Sequence, residues 1–181
     1  MKLKIYTKTG DLGKTGLFNA TRTSKSSLRV DAYGTIDELV SVLGIVLAHR
    51  PNIEFKTIID KICSTLFEIG TDLASPYNPP PTFKLTRFDG KATKLLENKI
   101  DNYSSQMPVL KNFIRPGGCL IAAHLNHGRT VCRRAERIVV HLSEEEEINI
   151  NIIEYLNRLS DFLFTAARYA NFLENIQEEN F

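Results

Sequence analysis

The chain has 181 residues, 43% of them hydrophobic and 24% charged, and a formal net charge of +2. Such a composition describes an ordinary soluble chain long enough for one sizeable core, so a single domain over residues 1–181 is expected. The charge is too small to argue for nucleic acid, no apolar run is long enough to span a bilayer, and Met1 to Tyr6 lacks the apolar centre of a signal peptide. Cys63, Cys119 and Cys132 are an odd set without paired spacing, which fits a reducing compartment and points to the cytoplasm.

In chain order, Lys4 to Thr7 reads as a short extended piece, followed by Lys8-Thr-Gly-Asp-Leu-Gly-Lys-Thr-Gly16. A loop of glycines, hydroxyls and lysines can turn backbone N–H groups toward an anion while its cations neutralise charge. Gly10 to Lys14-Thr15 is two residues too short for a P-loop, and Leu17 to Lys25 does not read as a helix, so a nucleotide-phosphate loop of another kind is expected, with a solvated flexible terminus as the alternative.

Ile36, Leu39, Leu43 and Val46 step as a helix predicted from about Val30 to Ala48. Asp37 lies inside it beside the apolar seam, where a carboxylate needs either water or an arginine from another helix. A second helix follows Pro51 through Phe55, Ile59, Ile62, Leu66, Ile69 and Leu73, and Tyr77-Asn-Pro-Pro-Pro81 is a stiff connector. Thr86 to Asp89 resembles a capping box opening a third helix through Ala92, Leu96, Ile100 and Tyr103.

Phe113-Ile-Arg-Pro-Gly-Gly118 leads into the fourth helix, whose seam is Ile121, Leu125, Gly128, Cys132, Ala135, Val139 and Leu142. Beside that seam stand Arg129, Arg133 and Arg137, each one turn apart, with Glu136 on the same side and Arg134 pointing elsewhere. Guanidinium groups on adjoining turns repel unless anions hold them, and their planar forks suit phosphate oxygens or a carboxylate; pairing along the helix to Glu136 is the plainer alternative. His124 and His127 are one turn apart without a third ligand, so they read as exposed polar positions rather than a metal site. Ser143 to Glu146 reads as a capping box opening a fifth helix through Ile152, Leu156, Leu159, Leu163, Ala166, Ala170 and Leu173, with Asn157, Arg158, Asp161 and Arg168 set into it. Beyond Asn175 the chain is expected to fray. The sum is an all-α five-helix bundle with ferritin-like up-down packing over residues 29–175, preceded by an irregular nucleotide-binding segment over 1–28. No nucleophile, base and orienter set stands out.

Several stretches, in order, resemble the PduO-type ATP:cob(I)alamin adenosyltransferases: Tyr6-Thr-Lys-Thr-Gly-Asp11 with Gly13 and Thr15; Ser24-Lys25; Leu28 to Leu39; Gly70-Thr-Asp-Leu-Ala74; Phe113 with Pro116-Gly-Gly118; Arg129 to Arg137; and Leu156 to Asp161. The resemblance covers nearly the whole chain. It implies a five-helix bundle, a homotrimer with sites between subunits, and transfer of the 5′-deoxyadenosyl group of ATP to reduced cobalt, with release of triphosphate. It also implies that Thr7, Lys8, Thr9, Gly10, Gly13, Thr15 and Lys25 hold the triphosphate, with Mg²⁺, while Arg133, Glu136 and Asn157 hold ATP from the helices. The same resemblance implies that Asp37 pairs with Arg129 across a subunit interface and that Phe113 meets cobalamin at its lower face. No resident metal is implied; a reductase and a cobalamin-dependent enzyme are the implied partners. Arg115 stands where the family has an apolar residue. A non-catalytic ATP- or corrinoid-binding bundle acting as carrier or sensor is the alternative.

Overall fold

The computed structural model describes residues 4–181. Helices α1 (Leu28–Ala48), α2 (Ile53–Leu73), α3 (Ala92–Gln106), α4 (Leu120–Glu145) and α5 (Asn151–Leu173) follow a hairpin of β1 (Lys14–Gly16) and β2 (Arg22–Ser24). No helix is long and apolar enough to cross a membrane among the described residues.

Side-chain pairs fix the helix directions. Arg29 meets Glu146, Glu38 meets Arg134, and His49 stacks on His124, so α1 and α4 are antiparallel. Cys132 Sγ donates to the Leu156 carbonyl and Asn157 meets Glu136, so α4 and α5 are antiparallel as well. Arg29 also reaches the Leu73 carbonyl at the end of α2, while Glu97 and Tyr103 of α3 meet Arg158 and Tyr169 of α5 in parallel. The chain therefore runs up, down, up, down, up, with neighbours in the order α2, α1, α4, α5, α3. The seams face inward: Leu39, Leu43, Leu66, Ile69, Leu125, Ala135, Leu156 and Leu163 are fully buried. The space at Gly128 is filled by Leu43 and Val42 of α1 and Leu163 of α5.

Four expectations are corrected. Lys4 to Thr7 forms no strand; the short sheet is instead the antiparallel β1–β2 pair, Lys14 opposite Ser24 and Gly16 opposite Arg22. Thr86 to Asp89 does not open α3, because Gly90 intervenes at φ +77° and Asp89 accepts from the amide of Lys91 instead. Arg87 is drawn to the buried Asp72 at 2.6 Å, which also accepts from the Phe88 amide and from Asn149. Ser143 to Glu146 ends α4 rather than starting α5: Ser143 Oγ donates back to Val140, and Glu146 closes on Arg29 at 2.6 Å. A buried guanidinium offsets the unfavourable placing of a carboxylate at a helix C-terminus. The residues after Asn175 do not fray, since Arg115 N–H donates to the Glu179 carbonyl at 2.8 Å and Ile114 pairs with Asn180.

These directions sort the loops. At one end of the bundle lie the β-hairpin, the connector after α2 and the α4–α5 turn; at the other lie the α3–α4 loop and the last residues of the chain.

Candidate functional site

At the hairpin end the loop before β1 is built by two turns. Lys8 at φ +59° and Gly13 at φ +74° reverse the chain, and Arg22 holds the loop by donating to the carbonyls of Thr9 at 2.6 Å and Lys14 at 3.2 Å. The Lys25 amide donates to the Gly13 carbonyl at 2.8 Å, and the Lys25 ammonium lies so close over Gly10 that a methyl there would sit 3.1 Å from Nζ. Thr7 and Thr9 share a hydroxyl hydrogen bond of 2.9 Å. Thr7, Lys8, Thr9, Gly10, Gly13, Thr15 and Lys25 thus belong to one folded loop, with the lysines exposed. Two residues separate Lys25 from α1, whose N-terminus at Ser27 has no side-chain cap, so its first N–H groups lack a side-chain partner. The P-loop reading is excluded, since a strand rather than a helix follows the glycines. Arg22 was missed by the sequence reading, since the three polar residues Arg22 to Ser24 carry no periodic signal to place it.

Midway along the bundle, Arg133 and Arg137 are exposed on the outer face of α4 and Arg129 is half-buried. The stripe runs along the α5 flank, where Glu136 accepts from Asn157 at 2.9 Å beside a shallow hollow of 320 Å³ that also borders Ile153 and Glu154. Arg134 reaches the opposite flank and pairs with Glu38 of α1. The Nε of Arg129 is shielded from water with no hydrogen-bond partner. A guanidinium left so is short of an acceptor.

Asp37 is exposed on the α2 flank of α1, lining an apolar groove of 570 Å³ with Phe18, Tyr33, Phe67 and Gly70. The α1–α4 pair lies between it and the Arg129 stripe, so the two do not meet within one chain. Phe113 is 89% exposed at the far end, on the loop between α3 and α4. Because Arg29 is level with Glu146, the start of α1 is 13 positions from Arg133 along α4, roughly 20 Å at 1.5 Å per residue. The candidate residues therefore form separate patches on one chain: the loop at one end, the arginine stripe midway, Phe113 at the other end. Among the described residues no group of three or more His, Cys, Asp or Glu is placed to hold a metal ion. Burial and the nearby Asp60 push the Cys63 thiol up to about 11, and burial also raises Cys119 and Cys132, so none serves as a nucleophile near neutrality.

Comparison with known proteins gives these patches a context. A family model described as cobalamin adenosyltransferase matches residues 5–170. The corrinoid adenosyltransferase of Bacillus subtilis (strain 168) is 47% identical over 173 residues, 93% of this chain and 87% of the relative. The corrinoid adenosyltransferase MMAB of Homo sapiens is 43% identical over 180 residues, 97% of this chain and 72% of the relative. Among solved structures, a phenylalanine-to-histidine variant of the PduO-type ATP:corrinoid adenosyltransferase from Lactobacillus reuteri, complexed with cobalamin and ATP, superposes with a TM-score of 0.93 at 39% identity, over 98% of this chain and 96% of that one. An arginine-to-lysine variant complexed with ATP gives 0.92 at the same identity, over 98% and 99%. With the match running through nearly the whole bundle and its N-terminal loop, this chain belongs to the cobalamin adenosyltransferase family.

Proposed function

We propose that the protein transfers the 5′-deoxyadenosyl group of ATP to the cobalt of cob(I)alamin, giving adenosylcobalamin and triphosphate. The observation that carries this reading is the set of exposed cations, Lys8 and Lys25 on the folded N-terminal loop and Arg133 on α4, in a chain of the cobalamin adenosyltransferase family. The cobalt electron pair forms the Co–C bond at the 5′ carbon, and the C5′–O bond breaks with its pair leaving on triphosphate. Cob(I)alamin is itself a strong nucleophile, so the protein supplies no general base. It aligns the carbon with cobalt and stabilises the charge on the leaving group.

In this reading the loop Thr7 to Thr15 with Lys25 grips the triphosphate, and Arg133, Glu136 and Asn157 hold ATP from the helices. Mg²⁺, entering with the nucleotide, would help Lys8 and Lys25 neutralise the charge of the triphosphate. Phe113 packs against the lower face of the corrinoid and excludes water, bringing the cobalt potential within reach of a reductase. The separation of the patches favours a homotrimer in which one copy gives the loop and another the arginine stripe, with Asp37 of one reaching the unpartnered Arg129 of the next. Three unpaired thiols fit a cytoplasmic protein that passes its product to a cobalamin-dependent enzyme. Anaerobic mixing with Mg-ATP and chemically reduced cobalamin tests the reaction: the cob(I)alamin absorbance should give way to that of adenosylcobalamin, and its persistence would refute the assignment.

A further inference from the structure

We propose that Arg168, Asn171 and Glu178 are positioning residues that hold the Phe113 loop in place for the corrinoid, by clamping it at both ends and bracing its middle with the last residues of the chain. The inference rests on the reading that Phe113 faces the corrinoid.

The loop from Met107 to Cys119 is held at three points. At its start, Arg168 donates from Nη2 to the Pro108 carbonyl at 3.1 Å. At its end, one turn further along α5, Asn171 donates to the Gly117 carbonyl at 3.0 Å and accepts from the Cys119 amide at 2.9 Å. Between them the chain's last residues run antiparallel to the loop: Arg115 N–H donates to the Glu179 carbonyl at 2.8 Å and Phe181 N–H to the Phe113 carbonyl at 3.2 Å. Those two bonds lie on either side of Ile114, so they fix the backbone that carries the Phe113 ring.

Arg168 serves both strands. Besides Pro108 it makes a forked contact with Glu178, Nε at 2.9 and 3.1 Å and Nη2 at 3.0 Å from the carboxylate oxygens. Its side chain is 12% exposed and that of Glu178 23%, a setting in which a bidentate charge-assisted pair is geometrically exacting. Asn171 turns the chain into this strand by accepting from the Ile176 amide at its own carbonyl, 2.9 Å.

Two features separate positioning from bulk stability. The Phe113 ring is exposed, so bracing its backbone adds nothing to the core. An open pocket of 540 Å³ lies against the loop, bordered by Leu110, Ile114, Arg168, Phe172 and Ile176, so this stretch of the loop is not fully packed against the bundle.

The test uses the full-length protein and its Glu178→Ala, Glu178→Gln and Phe113→Ala variants. Steady-state rates are measured from pre-formed cob(I)alamin and from cob(II)alamin with a reductant, and amide exchange is followed at Arg115. Glu178→Ala should raise the KM for cob(II)alamin about tenfold, slow the reaction from cob(II)alamin more than that from cob(I)alamin, leave the KM for ATP unchanged, and speed exchange at Arg115. Glu178→Gln, which keeps one acceptor for Arg168, should recover most of the loss. Faster exchange with unaltered corrinoid kinetics would overturn the clamp, as would equal losses toward ATP and corrinoid with a lowered melting temperature. Phe113→Ala separates the two levels: unaltered corrinoid steps there would sink the reading of the loop, whereas a Phe113 effect without a Glu178 effect would sink the clamp alone.

Discussion

Replacing Gly118 by alanine should unseat the junction between the Phe113 loop and α4. The residue sits at φ +100°, and a methyl there would lie 2.5 Å from Cγ and Nδ2 of Asn171 and closer still to its Oδ1. Two penalties add. Holding a side chain in that backbone region costs about 1–3 kcal/mol. Asn171, which is 6% exposed, must also rotate away, losing its bonds to Gly117 and Cys119 at about 1 kcal/mol each and stranding a buried amide at about 1–3 kcal/mol. The sum is about 4–8 kcal/mol, or roughly 10–30 °C in melting temperature for a chain of this length. Thermal unfolding by circular dichroism measures it. Adding Asn171→Ala removes the clash and the stranded amide, and the two Asn171 bonds are lost only once, so the double variant should be about 3–5 kcal/mol more stable than the two single losses sum to. A Gly118→Ala protein melting within about 3 °C of wild type, or fully additive losses, would refute the reasoning.

Arg133→Ala should leave melting unchanged, because the side chain is exposed, while lowering kcat/KM for ATP by about 10–100-fold, the worth of a charge-assisted bond to phosphate; a wild-type value contradicts its role. Asp37→Ala, equally exposed in one chain, should leave helicity intact but weaken assembly in sedimentation velocity; an unchanged oligomer shows that the pairing with Arg129 does not form. Cys63, with a thiol pushed up to about 11, stays protonated at pH 8 and gains reactivity only as pH approaches that value; fast alkylation of the native protein at pH 7 would count against the burial that raises it.

The helical seams could be read from the sequence because burial on one face imposes the step of four and three, and Leu39, Leu66, Leu125 and Leu156 are buried where that step puts them. Helix ends were less legible, since long-range pairs overrode local signals. Ser143 to Glu146 has the spacing of an N-terminus, yet Arg29, more than a hundred residues earlier, claims Glu146 for the end of α4. Thr86 to Asp89 loses its capping role in the same way once Asp72 draws in Arg87 and Phe88. The β-hairpin escaped notice because three-residue strands have no period to detect.

For the candidate site, residue types were legible and their separation was not. Motifs give order along the chain, but only helix direction reveals that Lys25 and Phe113 lie at opposite ends and that Asp37 and Arg129 face different flanks. The bracing of the Phe113 loop by Glu179 and Phe181 was invisible for a related reason, because its hydrogen bonds run through backbone atoms that any residue possesses.

Mixing two variants that each lose most of their activity tests the shared site most directly. Lys25→Ala spoils the loop and spares the arginine stripe; Arg133→Ala does the reverse. If each site takes its loop from one copy and its arginine from another, subunits reassembled from an equal mixture should recover about a quarter of the wild-type rate of adenosylcobalamin formation, the share of interfaces joining two intact halves under random assortment. A mixture no more active than either parent would contradict a site built between copies.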